Sequence, residues 1–112
     1  MATPRTPLLV EELASDAPAG TTLRIHGELD ISTADQLRRA VADHISAGRR
    51  LVLDLSQVTF CDSTGLAVLV GIHKRLAAAG GGLELHAPTQ RVLHLLTITG
   101  LNRVFPVRTA DE

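Results

Sequence analysis

The pair of apolar segments Leu51-Val52-Leu53-Asp54-Leu55 and Leu66 to Ile72 limits the folds open to this chain more than any other feature. The first is short and almost unbroken, as expected of an interior strand covered on both faces. The second is apolar almost all round a helical projection, so it predicts a deeply buried helix. Ser56 to Cys61 reads as a loop between them, and Asp62-Ser63-Thr64-Gly65-Leu66 as the entry to the helix. A buried strand feeding a buried helix belongs to an α/β architecture.

The flanking sequence extends the alternation. Pro7 to Leu13 carries Leu8, Leu9, Val10 and Leu13 and predicts a first strand. Ser15 to Gly20, with Asp16, Pro18 and Gly20, has turn chemistry. Thr21 to His26 alternates Leu23 and Ile25 against Arg24 and His26, a half-buried strand that would pair with the first as a hairpin. Gly27-Glu28-Leu29-Asp30 leads into a helix for which Ser32 and Thr33 are both N-cap candidates. Thr33 and Gln36 have capping-box spacing, Leu37, Val41 and Ile45 form an apolar stripe with Ala34, and Asp35 and Arg39 form an i,i+4 pair. Gly48 ends this helix.

The second helix runs from Ser63 to about Ala79, and Gly80-Gly81-Gly82 stops it. Leu83 to His86 reads as a strand. Pro88-Thr89 opens a third helix with Val92, Leu93, Leu95 and Leu96, and Gly100 closes it. Val104 to Val107 reads as a last short strand. The predicted order is β-β-α-β-α-β-α-β. It implies a mixed sheet with the helices packed on it, antiparallel at the hairpin and parallel through the β-α-β units.

Size and composition narrow the function. A chain of 112 residues, 45% hydrophobic, makes one domain over 1–112. Twelve acids against 11 bases give a net charge of −1, which argues against a broad electrostatic grip on nucleic acid or an anionic membrane. Phe60 and Phe105 are the only aromatic residues besides histidine, too few for a base-stacking platform. Cys61 is the single cysteine, so neither an intrachain disulfide nor a Cys-rich zinc site can form. Met1 to Pro7 lacks a signal-type apolar run, and no stretch reaches the ~20 apolar residues of a membrane span. The expectation is a cytoplasmic protein without a cofactor.

The segment that can carry chemistry is Asp62 to Leu66. Ser63 is well placed as the helix N-cap, with Asp62 and Thr64 as competitors. The free N–H groups of a first helical turn seat an anion, and Gly65 leaves room for another molecule to approach the backbone. A hydroxyl displayed there can accept a phosphoryl group; the same residues also serve simply as a cap and turn. Enzyme chemistry is not indicated. Ser63 lacks the G-x-S-x-G flank of a hydrolase, and the glycine is one place late for an aspartic-protease D-[ST]-G. His26, His44, His73, His86 and His94 never fall at i,i+3 or i,i+4, and Gly80-Gly81-Gly82 lacks the Lys-Ser/Thr of a phosphate loop. Cys61 reads as a small apolar residue near a strand end, with a redox modulator as the alternative.

The string Leu51 to Leu66, ending in Asp62-Ser63-Thr64-Gly65-Leu66, resembles the signature of bacterial anti-sigma factor antagonists, the anti-anti-sigma or STAS-domain family. Gly27-Glu28-Leu29-Asp30 matches that family's G-E-[LI]-D. Ile98-Thr99-Gly100-Leu101 followed by Val104-Phe105 matches its C-terminal pattern, so the resemblance spans about residues 8–107. It implies a single STAS domain that is phosphorylated on Ser63. The unphosphorylated form would bind an anti-sigma factor with serine kinase activity, which holds the ATP, and so free a sigma factor. Phosphorylation would end the complex and a metal-dependent serine phosphatase would reset it. The resemblance places Asp30, Ser32 and Thr33 beside the serine on the partner-binding face, with Phe60, Asp62, Thr64, Gly65 and Leu66, on a protein that is monomeric when free. Ala67, where many members have a second glycine, and Cys61, where Met or Leu is frequent, depart from the pattern. A second function the resemblance allows is a constitutive STAS interaction domain in which Ser63 only caps the helix.

Overall fold

Hydrophobic alternation puts one face of every strand toward the helices. The computed structural model describes residues 7–16 and 20–110. In it β1 (Leu9–Asp16), β2 (Gly20–Leu29), β3 (Arg50–Cys61), β4 (Gly82–His86) and β5 (Val107–Arg108) form one sheet in the order β1-β2-β3-β4-β5. β1 runs antiparallel to β2, and the other neighbours are parallel. Helices α1 (Ala34–Ser46), α2 (Ser63–Ala78) and α3 (Gln90–Thr99) alternate with the strands, and a 3-10 turn, Leu101–Arg103, follows α3. The predicted α/β class and element order hold.

The core is a single cluster. Leu23, Ile25, Leu51, Leu53, Leu55, Leu83 and Leu85 from the sheet join Leu37, Val41 and Ile45 of α1, Leu69, Ile72 and Leu76 of α2, and Val92 and Leu96 of α3. Each fully buried Leu or Ile contributes about 1.5–3 kcal/mol. Gly48 ends α1 as expected, at φ +65°, where an added Cβ would lie 2.7 Å from the Ala79 carbonyl oxygen.

Several local expectations give way to tertiary contacts. Ser56 to Cys61 is strand, not loop, because β2 continues past His26 and the two pair to their ends, Gly27 with Val58 and Leu29 with Cys61. β3 is covered on one face only: Leu51, Leu53 and Leu55 are buried, while Val52 and Asp54 lie half-buried on a polar face. α2 is not buried all round, since Ala67 is exposed. Val104 to Val107 is not a strand. Val104 caps the preceding 3-10 turn, Phe105 goes into the core, and only Val107–Arg108 pairs with β4.

The caps differ too. Thr33 takes the N-cap position of α1 without a side-chain cap bond, and Gln36 Oε1 accepts from the Leu8 N–H (3.0 Å) instead of closing a capping box. Asp35 pairs with Arg38, not Arg39. In the predicted turn Ser15–Gly20, β1 runs on to Asp16 and β2 starts at Gly20; residues 17–19 lie outside the described set.

Candidate functional site

The carboxyl ends of β2 and β3 are adjacent, and each turns directly into a helix. In a parallel sheet this is the place where ligands and partners are met. Leu29 and Cys61 are the last registered pair, and the Asp62 N–H donates to the Leu29 carbonyl (3.4 Å).

Between β2 and α1, a tight polar turn is built on Asp30. Its Oδ1 accepts from the Ser32 N–H (2.9 Å) and from Ser32 Oγ (2.6 Å). Its carbonyl accepts from the Thr33 and Ala34 N–H groups, at 3.2 and 2.9 Å. Thr33 Oγ1 donates to the Glu28 carbonyl (2.7 Å) and accepts from the Asp30 N–H (3.1 Å). Asp30 and Thr33 are both buried, so they shape the turn from inside and leave Ile31 and Ser32 to solvent. Ile31 is 78% exposed and Phe60, at the end of β3, is 38% exposed.

Between β3 and α2, the helix cap is Asp62, not Ser63. Asp62 is extended, at φ −117° and ψ −170°, and its Oδ1 accepts from the Gly65 N–H at 3.1 Å. Ser63 is therefore the first residue of α2. It is exposed, and its hydroxyl has no hydrogen-bond partner among the described residues. A carboxylate outcompetes a hydroxyl for the cap because the bond it makes is charge-assisted and complements the helix dipole. Thr64 is half-buried beside it.

Gly65 has a different reason from the one its sequence context suggests. It is buried, and an added Cβ would lie 2.9 Å from Cys61 Sγ and closer still to the Leu29 carbonyl oxygen. The glycine lets the first turn of α2 sit against the ends of β2 and β3; it does not open the backbone to another molecule. Leu66 is likewise in the core. Of the candidate contact residues, Ser32 and Phe60 are exposed and Asp62 and Thr64 half-buried, while Asp30, Thr33, Gly65 and Leu66 act from below the surface.

Cys61 is buried, and burial, with the Asp62 charge adding to it, pushes its thiol up to about 11. A covered, protonated thiol is unreactive, which disfavours the redox alternative. The sequence does not single out Ile31. Its one signal is an isoleucine flanked by Asp30 and Ser32 in a turn, where it has no core to enter. Among the described residues no helix is long and apolar enough to cross a membrane, and no group of three or more His, Cys, Asp or Glu is placed to hold a metal.

A mixed five-stranded sheet in which the adjacent strands β2 and β3 end beside a capped helix start is the arrangement of a STAS domain. The STAS domain family model matches residues 12–111, and the chain belongs to that family. It is 34% identical over 90 residues, 80% of this chain and 83% of the relative, to the anti-sigma-B factor antagonist of Bacillus subtilis. It is 32% identical over 87 residues, 76% of this chain and 74% of the relative, to the anti-sigma F factor antagonist of Paenibacillus polymyxa. The crystal structure of an anti-sigma factor antagonist from Mycobacterium paratuberculosis superimposes with a TM-score of 0.76 at 28% identity, covering 92% of this chain and 89% of that one.

Proposed function

We propose that this protein is an anti-sigma factor antagonist controlled by phosphorylation of Ser63. The observation that carries the proposal is an exposed serine hydroxyl, free of any capping duty, on the first residue of α2. The names of its relatives support the antagonist role, and the exposed Ile31 and Phe60 nearby supply apolar anchors for a protein partner. The unphosphorylated form binds an anti-sigma factor that is also a serine kinase, and so releases a sigma factor. The kinase holds the ATP, transfers phosphate to Ser63 and dissociates; a serine phosphatase restores the hydroxyl.

The physics of the switch is local. Phosphate adds about −1.5 to −2 charge at neutral pH. At a helix N-terminus that charge is tolerated, so the fold survives. The cost falls on the interface, where the new dianion adds bulk and negative charge to a close contact. A charge mismatched with the facing surface costs several kcal/mol, on the order of a hundredfold or more in affinity.

The test is to incubate the protein with its cognate kinase and labelled ATP beside Ser63→Ala. Label on the wild type alone, with loss of kinase binding by the labelled form, is the expected result. Equal labelling of both, or tight binding by Ser63→Asp, overturns it. The constitutive interaction domain, in which Ser63 is only a cap, is disfavoured because Asp62 makes the cap bond.

A further inference from the structure

The face of the sheet turned away from the helices carries a second polar assembly, at the opposite end of β3 from Ser63. With a rise of about 3.3 Å per strand residue, Arg50 and Cys61 stand on the order of 35 Å apart. At the centre is Glu84 of β4, only 4% exposed. Arg50 of β3 donates from Nη2 to Glu84 Oε2 (2.5 Å), Arg108 of β5 donates from Nε to Oε1, and His86 Nε2 lies 3.0 Å from Oε1. Two arginines on the strands flanking β4 thus straddle one carboxylate.

A guanidinium has five N–H donors. Each of these commits one N–H to Glu84, and the side chains of Arg50 and Arg108 remain 58% and 62% exposed. Two cations against one anion leave an excess positive charge, whereas the nearby Arg24 is matched by Asp54 at 3.2 Å. With Thr21 and Thr22, these groups border an open cavity of about 310 Å³. That is the low end of the range for small-molecule sites.

We infer that this cavity binds a small oxyanion, a phosphate or carboxylate carried by a small molecule, in the fork between Arg50 and Arg108, with Glu84 holding both guanidinium groups in place. The site is independent of Ser63 and of the partner switch.

The test is an NMR titration of the full chain with inorganic phosphate and, separately, with acetate, against chloride at equal ionic strength. The expected result is a saturable shift of the amides of Thr21, Thr22, Glu84, His86 and Arg108 with at least one anion, and no shift at Ser63. Which anion responds separates a phosphate ligand from a carboxylate one. Arg108→Gln should weaken binding about tenfold or more, the loss expected for a charge-assisted contact. Arg38→Gln, on α1, should leave it unchanged. If Arg108→Gln loses its dispersed spectrum, Arg108→Lys replaces it and must still weaken binding. No saturable shift with either anion, no loss in the Arg108 variant, or an equal loss in Arg38→Gln overturns the inference.

Discussion

Asp62 caps α2 by accepting the Gly65 N–H at 3.1 Å, and this one bond separates two tasks that the sequence allows a single residue to perform. The carboxylate holds the helix, and the neighbouring Ser63 hydroxyl is left available for chemistry.

That division has a measurable consequence. Asp62→Ala should cost about 1 kcal/mol of stability, the usual loss for an N-cap. Ser63→Ala should stay within about 0.5 kcal/mol of wild type, as for surface changes that break no cap. Urea unfolding of both variants decides it; an equal loss in the serine variant would make Ser63 the cap.

The two glycines of α2 should respond in opposite directions. At Gly65 a methyl group meets the Leu29 carbonyl and Cys61 Sγ, so Gly65→Ala should destabilise by about 2 kcal/mol or more. At Gly71 an added Cβ meets nothing within 4 Å, so Gly71→Ala should stabilise by about 0.5–1 kcal/mol through helix propensity. Thermal melts of the pair check the sign of each.

Ile31 separates binding from folding. With 78% of it exposed, Ile31→Ser should leave the unfolding midpoint almost unchanged. If Ile31 anchors the anti-sigma partner, the same change should weaken that complex about tenfold, as truncation of an interface anchor does. Calorimetric titration of the partner measures this, and unaltered affinity would place Ile31 outside the interface.

Glu84 sets an acid limit. Burial pushes its carboxyl up, but hydrogen bonds from His86, Arg108 and Arg50 outweigh burial and bring it down from 4.5 to about 2. The folded form therefore binds the proton more weakly than the unfolded form. The resulting stabilisation is complete above about pH 4.5 and disappears as pH falls toward 2. Asp54 is shifted the same way: burial raises it, and Ser56 and Arg24 more than compensate. Glu84→Gln should cost about 1–3 kcal/mol at pH 7 and show a shallower loss between pH 5 and 3, followed by denaturant midpoints across that range.

Much of this molecule is written in local pattern. The Leu37, Val41 and Ile45 stripe, the alternation of Thr21 to His26 and the turn glycines Gly48 and Gly100 suffice for the element order, because burial on one face imposes a period on the chain itself. The start of α2 at Ser63 is legible for the same reason, whereas the strand that runs straight into it is not. Other features depend on partners distant in sequence. Gln57 follows no strand period, and it is held in β3 by pairing with His26 near the end of β2. Glu84 looks like an ordinary outward strand residue until Arg50 and Arg108 close over it from either side. Gly65 looks like an opening and proves to be a point of contact, because only the packed helix brings Leu29 and Cys61 against it. Periodicity thus settled which elements form. Pairing and packing decided how far β3 extends, which side chain caps α2 and which residues reach the surface, since each of these rests on groups that meet only when the chain has folded.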